Sequence, residues 1–110
     1  MLSQLSPQHL AELCKGQWYQ DKIPSARFTA AQIDSRLMES NQLFIALEGK
    51  QTDGHRFIAN LDPEQQQAAI VEKPEPQARA AQLCVASSLC ALQALSGEIA
   101  SRTTAIKFAL

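Results

Sequence analysis

The chain has 110 residues and a mass of 12.1 kDa, which allows one globular domain and is too small for two. With 45% hydrophobic residues and a formal net charge of −1, its composition is typical of a soluble globular protein. A pI near 6.1 gives no electrostatic reason to expect binding to nucleic acid or to an anionic membrane. No apolar run approaches the ~20 residues of a membrane span, and no basic region followed by an apolar core opens the sequence, so we expect a cytoplasmic protein.

The first predicted helix begins at Ser6-Pro7, where Ser6 suits the N-cap and Pro7 the first helical position. Apolar residues at positions 10, 13 and 14 have the spacing of one helix face, and Gly16 is placed to end the helix in a left-handed conformation. Trp18 follows in a segment that ends at Pro24, and we expect its ring to pack in the core rather than to stack on a ligand.

Short runs of apolar and β-branched residues predict the strands of the chain. Before Pro63 we expect a short helix over residues 56–61, and after it one further turn through residues 64–67. The predicted strands are residues 28–33, 43–47, 68–71, 83–86 and 105–110.

A second helix is predicted after the fourth of these strands, with Ser87 or Ser88 as its N-cap. Its leucines and Ile99 recur at spacings of three, three and four residues, so we expect them to pack in the core; these are Leu89, Leu92, Leu95 and Ile99.

The three cysteines, Cys14, Cys84 and Cys90, lie among apolar neighbours and form no Cys-x-x-Cys pair. This arrangement favours reduced thiols in the core over disulfides. A nucleophilic or metal-binding thiol would need a histidine or a second thiol nearby, and the sequence has only His9 and His55. We therefore expect no metal site.

Two polar segments flank the strand at 43–47, and they are the candidate site. The first is Asp34-Ser35-Arg36, and the second runs from Gly49 to His55. Both could meet at one sheet edge, where the glycines at 49 and 54 allow positive φ or close approach of a ligand. Hydroxyl, ammonium and amide groups in these segments can hydrogen-bond a polar heterocycle or a phosphate. The alternative is structural, with Asp34 capping a turn, Arg36 pairing with a surface carboxylate and the second segment a solvated loop.

Residues 33–36 together with residues 43–58 resemble the N-terminal domain of the Mur ligases, whose pattern is D-[ST]-R, then L-F-[VI]-A-x-x-G, then D-G-H-x-F. The resemblance implies an α/β fold: a small single domain with a mixed sheet of short strands flanked by helices. It also implies that residues 1–110 bind the uridine diphosphate (UDP) end of a UDP-N-acetylmuramoyl-peptide, as a monomer, in peptidoglycan synthesis. By this resemblance the binding residues are Ser35, Arg36, Lys50, Gln51, Thr52, Asp53, Gly54 and His55, and Asp34 and Gly49 shape the turns.

The same resemblance implies ATP and Mg²⁺ as cofactors of a complete ligase, but the printed sequence lacks a phosphate loop for them. Its one Gly-Lys pair, Gly49-Lys50, is followed by Gln51 and has Phe44 where such a loop needs its first glycine. We therefore expect no catalytic residue in residues 1–110, and we expect the central ATPase and C-terminal domains of the family to be absent from them.

Within the family, the first helix and the ending after residues 101–104 resemble the MurF type, which adds D-alanyl-D-alanine to the UDP-muramoyl tripeptide. A MurE type, which adds a diamino acid, shares the Asp-Ser-Arg and Asp-Gly-His patterns and stays open. A free-standing domain that binds a nucleotide sugar or a protein without catalysis is the alternative from a different class.

Overall fold

The described residues form a six-stranded mixed sheet with strand order β1-β5-β4-β3-β2-β6. The computed structural model describes residues 6–25, 27–33, 37–47, 58–100 and 106–107, with only the backbone described for 96–100 and 106–107. Strand β1 is antiparallel to β5, and every other neighbouring pair is parallel. The strands are β1 (Gln17–Trp18), β2 (Ala30–Gln32), β3 (Gln42–Ile45), β4 (Ala68–Val71), β5 (Ala81–Cys84) and β6 (Ile106–Lys107). The predicted α/β class and mixed sheet are confirmed.

Helix α1 (Pro7–Cys14) begins as the sequence predicts. The Ser6 hydroxyl accepts a hydrogen bond from the His9 backbone N–H at 3.2 Å, and Pro7 occupies the first helical position. Trp18 is buried, and its indole Nε1–H donates to the Pro7 carbonyl at 3.1 Å, so the ring packs in the core as predicted.

The end of α1 differs from the sequence prediction. Lys15, not Gly16, adopts the left-handed conformation, with φ 55° and ψ 45°. The Gly16 N–H closes the helix by donating to the Ala11 carbonyl at 2.9 Å. Gly16 is needed for another reason: a Cβ there would lie 2.8 Å from both the Cys84 carbonyl oxygen and Val85 Cγ1. The glycine therefore allows the chain to pass directly against β5.

Alternating residues of the strands divide the core into two layers. On one face, both helices cover side chains such as Ala31, Leu43 and Ile70, with Leu10 supplied by α1 and Leu95 by α2 (Ser88–Ala100). The two helices also contact each other. No helix in the described part of the chain is long and apolar enough to cross a bilayer.

The opposite face of the sheet is covered by the connection between β3 and β4. Ile58 and Leu61 from this connection pack against Phe44 and Ala69. Residues 58–60 form one 3-10 turn, which lies within the predicted 56–61 helix, and Pro63–Gln65 form a second. The Asp62 carboxylate caps the second turn by accepting from the Glu64 N–H at 2.9 Å.

Helix α2 confirms one of the two predicted N-caps and corrects the core predictions for Leu89 and Cys90. Ser87 is the N-cap, since its hydroxyl accepts from the Cys90 N–H at 3.2 Å. Ser88, Ala91 and Leu95 form the buried face, whereas Leu89 is 55% exposed and Cys90 is exposed. At 100° per residue, positions 89 and 90 turn away from that face, so Leu89 and Cys90 do not belong to the core. Cys14 and Cys84 are half-buried, and all three cysteines are reduced.

The boundaries of the strands also move by one to two residues. The prediction for 68–71 is confirmed, but β5 ends at Cys84 rather than extending to residue 86. The predicted strand at 28–33 is reduced to β2, with Phe28 as an isolated bridge residue before it. Of the predicted last strand, residues 106–107 are described, and they pair with β2.

Candidate functional site

The two halves of the sequence motif follow neighbouring parallel strands. Gln32, the last residue of β2, pairs in register with Phe44 of β3. Because parallel strands end at the same edge of a sheet, Ile33 and Leu47 both lie at the carboxyl edge. The chain continues from Ile33 into residues 34–36, and from Leu47 into residues 48–57. Ligands of open α/β sheets commonly bind beyond this edge.

The predicted site residues themselves lie outside the described residues, so their roles stay predictions. They are Asp34, Ser35, Arg36, Gly49, Lys50, Gln51, Thr52, Asp53, Gly54 and His55.

The described residues on either side of these segments are anchored in the core. Ile33 and Leu47 pack against the helix-covered face of the sheet. Ile58, the first described residue after the second segment, is fully buried on the opposite face, and Met38 also packs there. The framework that carries both segments is therefore fixed by apolar packing.

Buried glutamines on the strands are a feature that the sequence analysis missed. Gln32, Gln42, Gln67 and Gln82 are all at least nine-tenths buried. Each lies at or next to one terminus of a parallel strand. The register places all four on the side of the sheet that carries Phe44. The sequence signal for their burial is their position between apolar strand residues. The polarity of glutamine argues for exposure, so this burial was not predicted.

A groove of about 270 Å³ lies away from this edge and was also not predicted. Gln67 and Ala81, at the beginnings of β4 and β5, line it, so it lies toward the amino edge of the sheet. Lys22 and Arg79 give its walls positive charge. The described residues that line it lie outside the motif.

The described residues offer no metal centre, and burial makes two of the three thiols poorly reactive. Within the described ranges, no group of three or more His, Cys, Asp and Glu side chains is placed to hold a metal ion. Burial raises the pKa of the Cys14 thiol from 9.0 to about 11, and burial also raises the pKa of Cys84. These two thiols are therefore protonated at neutral pH and are poor nucleophiles and metal ligands.

Comparison with known proteins decides the family. A profile described as "Mur ligase family, catalytic domain" matches residues 27–102. The chain belongs to the Mur ligase family. Over 94% of its length, this Mur ligase chain superposes on MurF from Acinetobacter baumannii with a TM-score of 0.81 and 35% identity. A second A. baumannii structure, UDP-N-acetylmuramoylalanyl-D-glutamyl-2,6-diaminopimelate–D-alanyl-D-alanyl ligase, gives a TM-score of 0.80 and 36% identity over 92% of the chain.

Sequence relatives include both ligase types. The UDP-N-acetylmuramoyl-tripeptide–D-alanyl-D-alanine ligase of Bacillus subtilis is 30% identical over 90 residues, which are 80% of this chain and 20% of that protein. The UDP-N-acetylmuramoyl-L-alanyl-D-glutamate–2,6-diaminopimelate ligase of Bacteroides thetaiotaomicron is 60% identical over 30 residues, which are 27% of this chain and 6% of that protein. Similarity over most of the chain is thus to the MurF type, as the first helix and the ending after residues 101–104 predicted.

The Mur ligase chain spans only about a fifth of these MurF-type proteins, 20% of the B. subtilis relative and 22% of each A. baumannii structure. The ATP and Mg²⁺ that the family implies do not fit its residues. Gly49-Lys50 lacks the glycine spacing of a phosphate loop, and no metal-binding group is found in the part of the chain that the structure describes.

Proposed function

We propose that this chain holds the UDP end of UDP-N-acetylmuramoyl-tripeptide for a MurF-type ligase, which adds D-alanyl-D-alanine during peptidoglycan precursor synthesis in the cytoplasm. The observation that carries the proposal is the parallel pairing of β2 and β3. It starts both halves of the motif from one sheet edge, although they are separated in sequence. The similarity to MurF-type proteins over 94% of the chain supports the same assignment.

The contribution of the chain is positioning. Binding energy gained on a nucleotide far from the reacting carboxylate helps to place that carboxylate in the active site. In this assignment, ATP and Mg²⁺ act in the complete ligase on residues outside the 110 of this chain.

Within the site, we assign direct contacts to the polar side chains of the two segments. Ser35 and Thr52 donate hydroxyl hydrogen bonds to the diphosphate or the uracil, and Arg36 and Lys50 supply positive charge to the phosphates. Gln51, Asp53 and His55 complete the polar lining, while Gly54 lets the backbone approach the ligand.

Calorimetric titration of the 110-residue chain with UDP and with UDP-N-acetylmuramic acid tests the proposal. Ser35→Ala and Thr52→Ala should each weaken binding about tenfold, the effect of losing one hydrogen bond to a charged ligand. Matched controls are Ser40→Ala and Thr29→Ala, which remove the same groups from exposed positions before β3 and β2, at the opposite edge of the sheet. The controls should bind as tightly as the unmodified chain.

Two outcomes would count against the proposal. A folded chain that gives no heat at millimolar UDP does not hold the nucleotide by itself. Binding that is weakened equally in the control variants and in the site variants would place the nucleotide away from the motif.

The second candidate is a MurE-type role, favoured by the 60% identity over 30 residues to the B. thetaiotaomicron relative. Both types are expected to hold UDP, so nucleotide titration does not separate them. The substrate that is added to the peptide does separate the two types. In an assay, the complete ligase that contains this chain should consume D-alanyl-D-alanine and not a diamino acid. Consumption of the diamino acid would reverse the assignment.

A further inference from the structure

The four buried glutamines differ in one respect, namely whether the side-chain oxygen has a hydrogen-bond donor. Gln42 Oε1 accepts from the Glu39 N–H at 3.0 Å, and Gln67 Oε1 accepts from the Asp62 N–H at 2.9 Å. In both cases the donor is a backbone N–H of a connecting loop, so the glutamine fastens that loop to the sheet.

Gln82 shows the same arrangement, with both of its bonds made to one residue. Its Oε1 accepts from the Glu75 N–H at 2.6 Å, and its Nε2 donates to the Glu75 carbonyl at 2.8 Å. Both ends of the amide are therefore used in holding the connection between β4 and β5.

Gln32 is the exception. It is only 1% exposed, and its Oε1 has no hydrogen-bond partner among the residues that the structure describes. Its Nε2 lies 3.5 Å from the Leu37 carbonyl, which is a weak contact at the limit of hydrogen bonding. A buried acceptor without a donor destabilises the folded state, and native proteins satisfy most such groups.

The position of Gln32 indicates where a donor would come from. Gln32 ends β2 at the carboxyl edge, beside Phe44 of β3, and its amide nitrogen contacts Leu37, the first described residue after the first motif segment. Gln42 and Gln67, which are satisfied, lie at the beginnings of β3 and β4. The unpaired oxygen is thus at the edge where the proposed function places the nucleotide.

We propose that Gln32 Oε1 accepts a hydrogen bond from the uridine part of the bound nucleotide, and that Gln32 is a binding residue of this site. This inference rests on the proposed function. Uridine offers two kinds of donor, the imide N–H of the uracil ring and the ribose hydroxyls. Cytidine keeps the hydroxyls but has an unprotonated ring nitrogen in place of the imide N–H, so CDP separates the two sources.

The test is titration of the full chain with UDP and with CDP, in the unmodified protein and in Gln32→Met, which keeps the side-chain length and removes the amide. Gln82→Met is the matched control, because it removes an equally buried amide whose two bonds are internal. Gln32→Met should bind UDP about tenfold more weakly, with a melting temperature equal to or above that of the unmodified chain. Gln82→Met should melt several degrees lower and bind UDP normally.

The selectivity between the nucleotides identifies the donor. If the imide N–H is the donor, the unmodified chain should prefer UDP over CDP about tenfold or more, and Gln32→Met should lose this preference. If a ribose hydroxyl is the donor, the affinities for UDP and CDP should fall by the same factor in Gln32→Met, so that the preference between the two nucleotides is unchanged. A purely structural role of Gln32 would not change selectivity.

Two results would overturn this inference alone. One is an unchanged affinity of Gln32→Met for UDP. The other is a fall in its melting temperature like that of Gln82→Met, which would mean that a group of the protein itself donates a hydrogen bond to the Gln32 oxygen. Absence of UDP binding by the folded, unmodified chain would overturn the proposed function and this inference together.

Discussion

Replacing Gly16 by alanine adds only one methyl group, yet it should destabilise the fold strongly. The new Cβ would lie 2.8 Å from the Cys84 carbonyl oxygen, 2.8 Å from Val85 Cγ1 and 3.0 Å from Leu83 Cγ. The first of these is a backbone atom of β5, so a rotamer change cannot relieve the clash. Overpacking of this kind costs about 1–3 kcal/mol. A loss of about 2 kcal/mol corresponds to a fall of roughly 10 °C in the melting temperature of a domain this small.

The neighbouring residue provides the matched comparison. Lys15 has φ 55°, a conformation that disfavours side chains with a Cβ and suits glycine. Lys15→Gly should therefore raise the free energy of unfolding, by about 0.5 kcal/mol after the larger entropy of the unfolded glycine chain is subtracted. Urea denaturation of both variants, with midpoint and slope compared to the unmodified chain, measures the two changes.

These two substitutions have opposite predicted signs at adjacent positions. A Gly16→Ala chain as stable as the unmodified one would refute the close approach to β5. A Lys15→Gly chain less stable than the unmodified one would refute the left-handed conformation at Lys15, and would favour the sequence prediction that Gly16 adopts it.

Two further predictions concern α2 and Cys14. Ser88→Ala should raise the free energy of unfolding by about 1 kcal/mol, because the buried Ser88 hydroxyl has no hydrogen-bond partner among the described residues. Ser87→Ala should lower the free energy of unfolding by about 1 kcal/mol through loss of the cap. Urea denaturation that shows the reverse order would contradict this assignment. Stability should fall as pH rises from 9 to 11, because the Cys14 thiol ionises near pKa 9.0 when unfolded but keeps its proton to a pKa of about 11 when folded. The fall should be smaller in Cys14→Ala, and an equal fall in both chains would exclude Cys14 as its cause.

The elements that the sequence predicts best are those with local chemical signals. Ser6 and Pro7 determine the start of α1 through a hydroxyl and a fixed φ, both of which act within one turn. The apolar run that became β4 was predicted with its bounds, because a strand buried on both faces is apolar at every position.

The predictions that failed depend on partners distant in sequence. Strand β5 begins at Ala81 and ends at Cys84 because its register with β4 pairs Ala68 with Ala81 and Val71 with Cys84. The sequence around residues 83–86 does not contain that information. Leu89 was assigned to the core from its spacing to Leu92, yet the buried face is set by where α2 meets the sheet.

For the candidate site, the sequence predicts which residues are involved, and the fold determines whether they can act together. A slip of one residue between β2 and β3 would exchange the faces of neighbouring residues in β2. Ala31 would then leave the helix-covered layer, where it packs, and Gln32 would enter it. Burial of Ala31 therefore fixes the register that brings Gln32 beside Phe44. The same apolar contacts that stabilise the sheet thus determine where its unpaired acceptor lies, and a residue with no motif signature becomes part of the proposed nucleotide site.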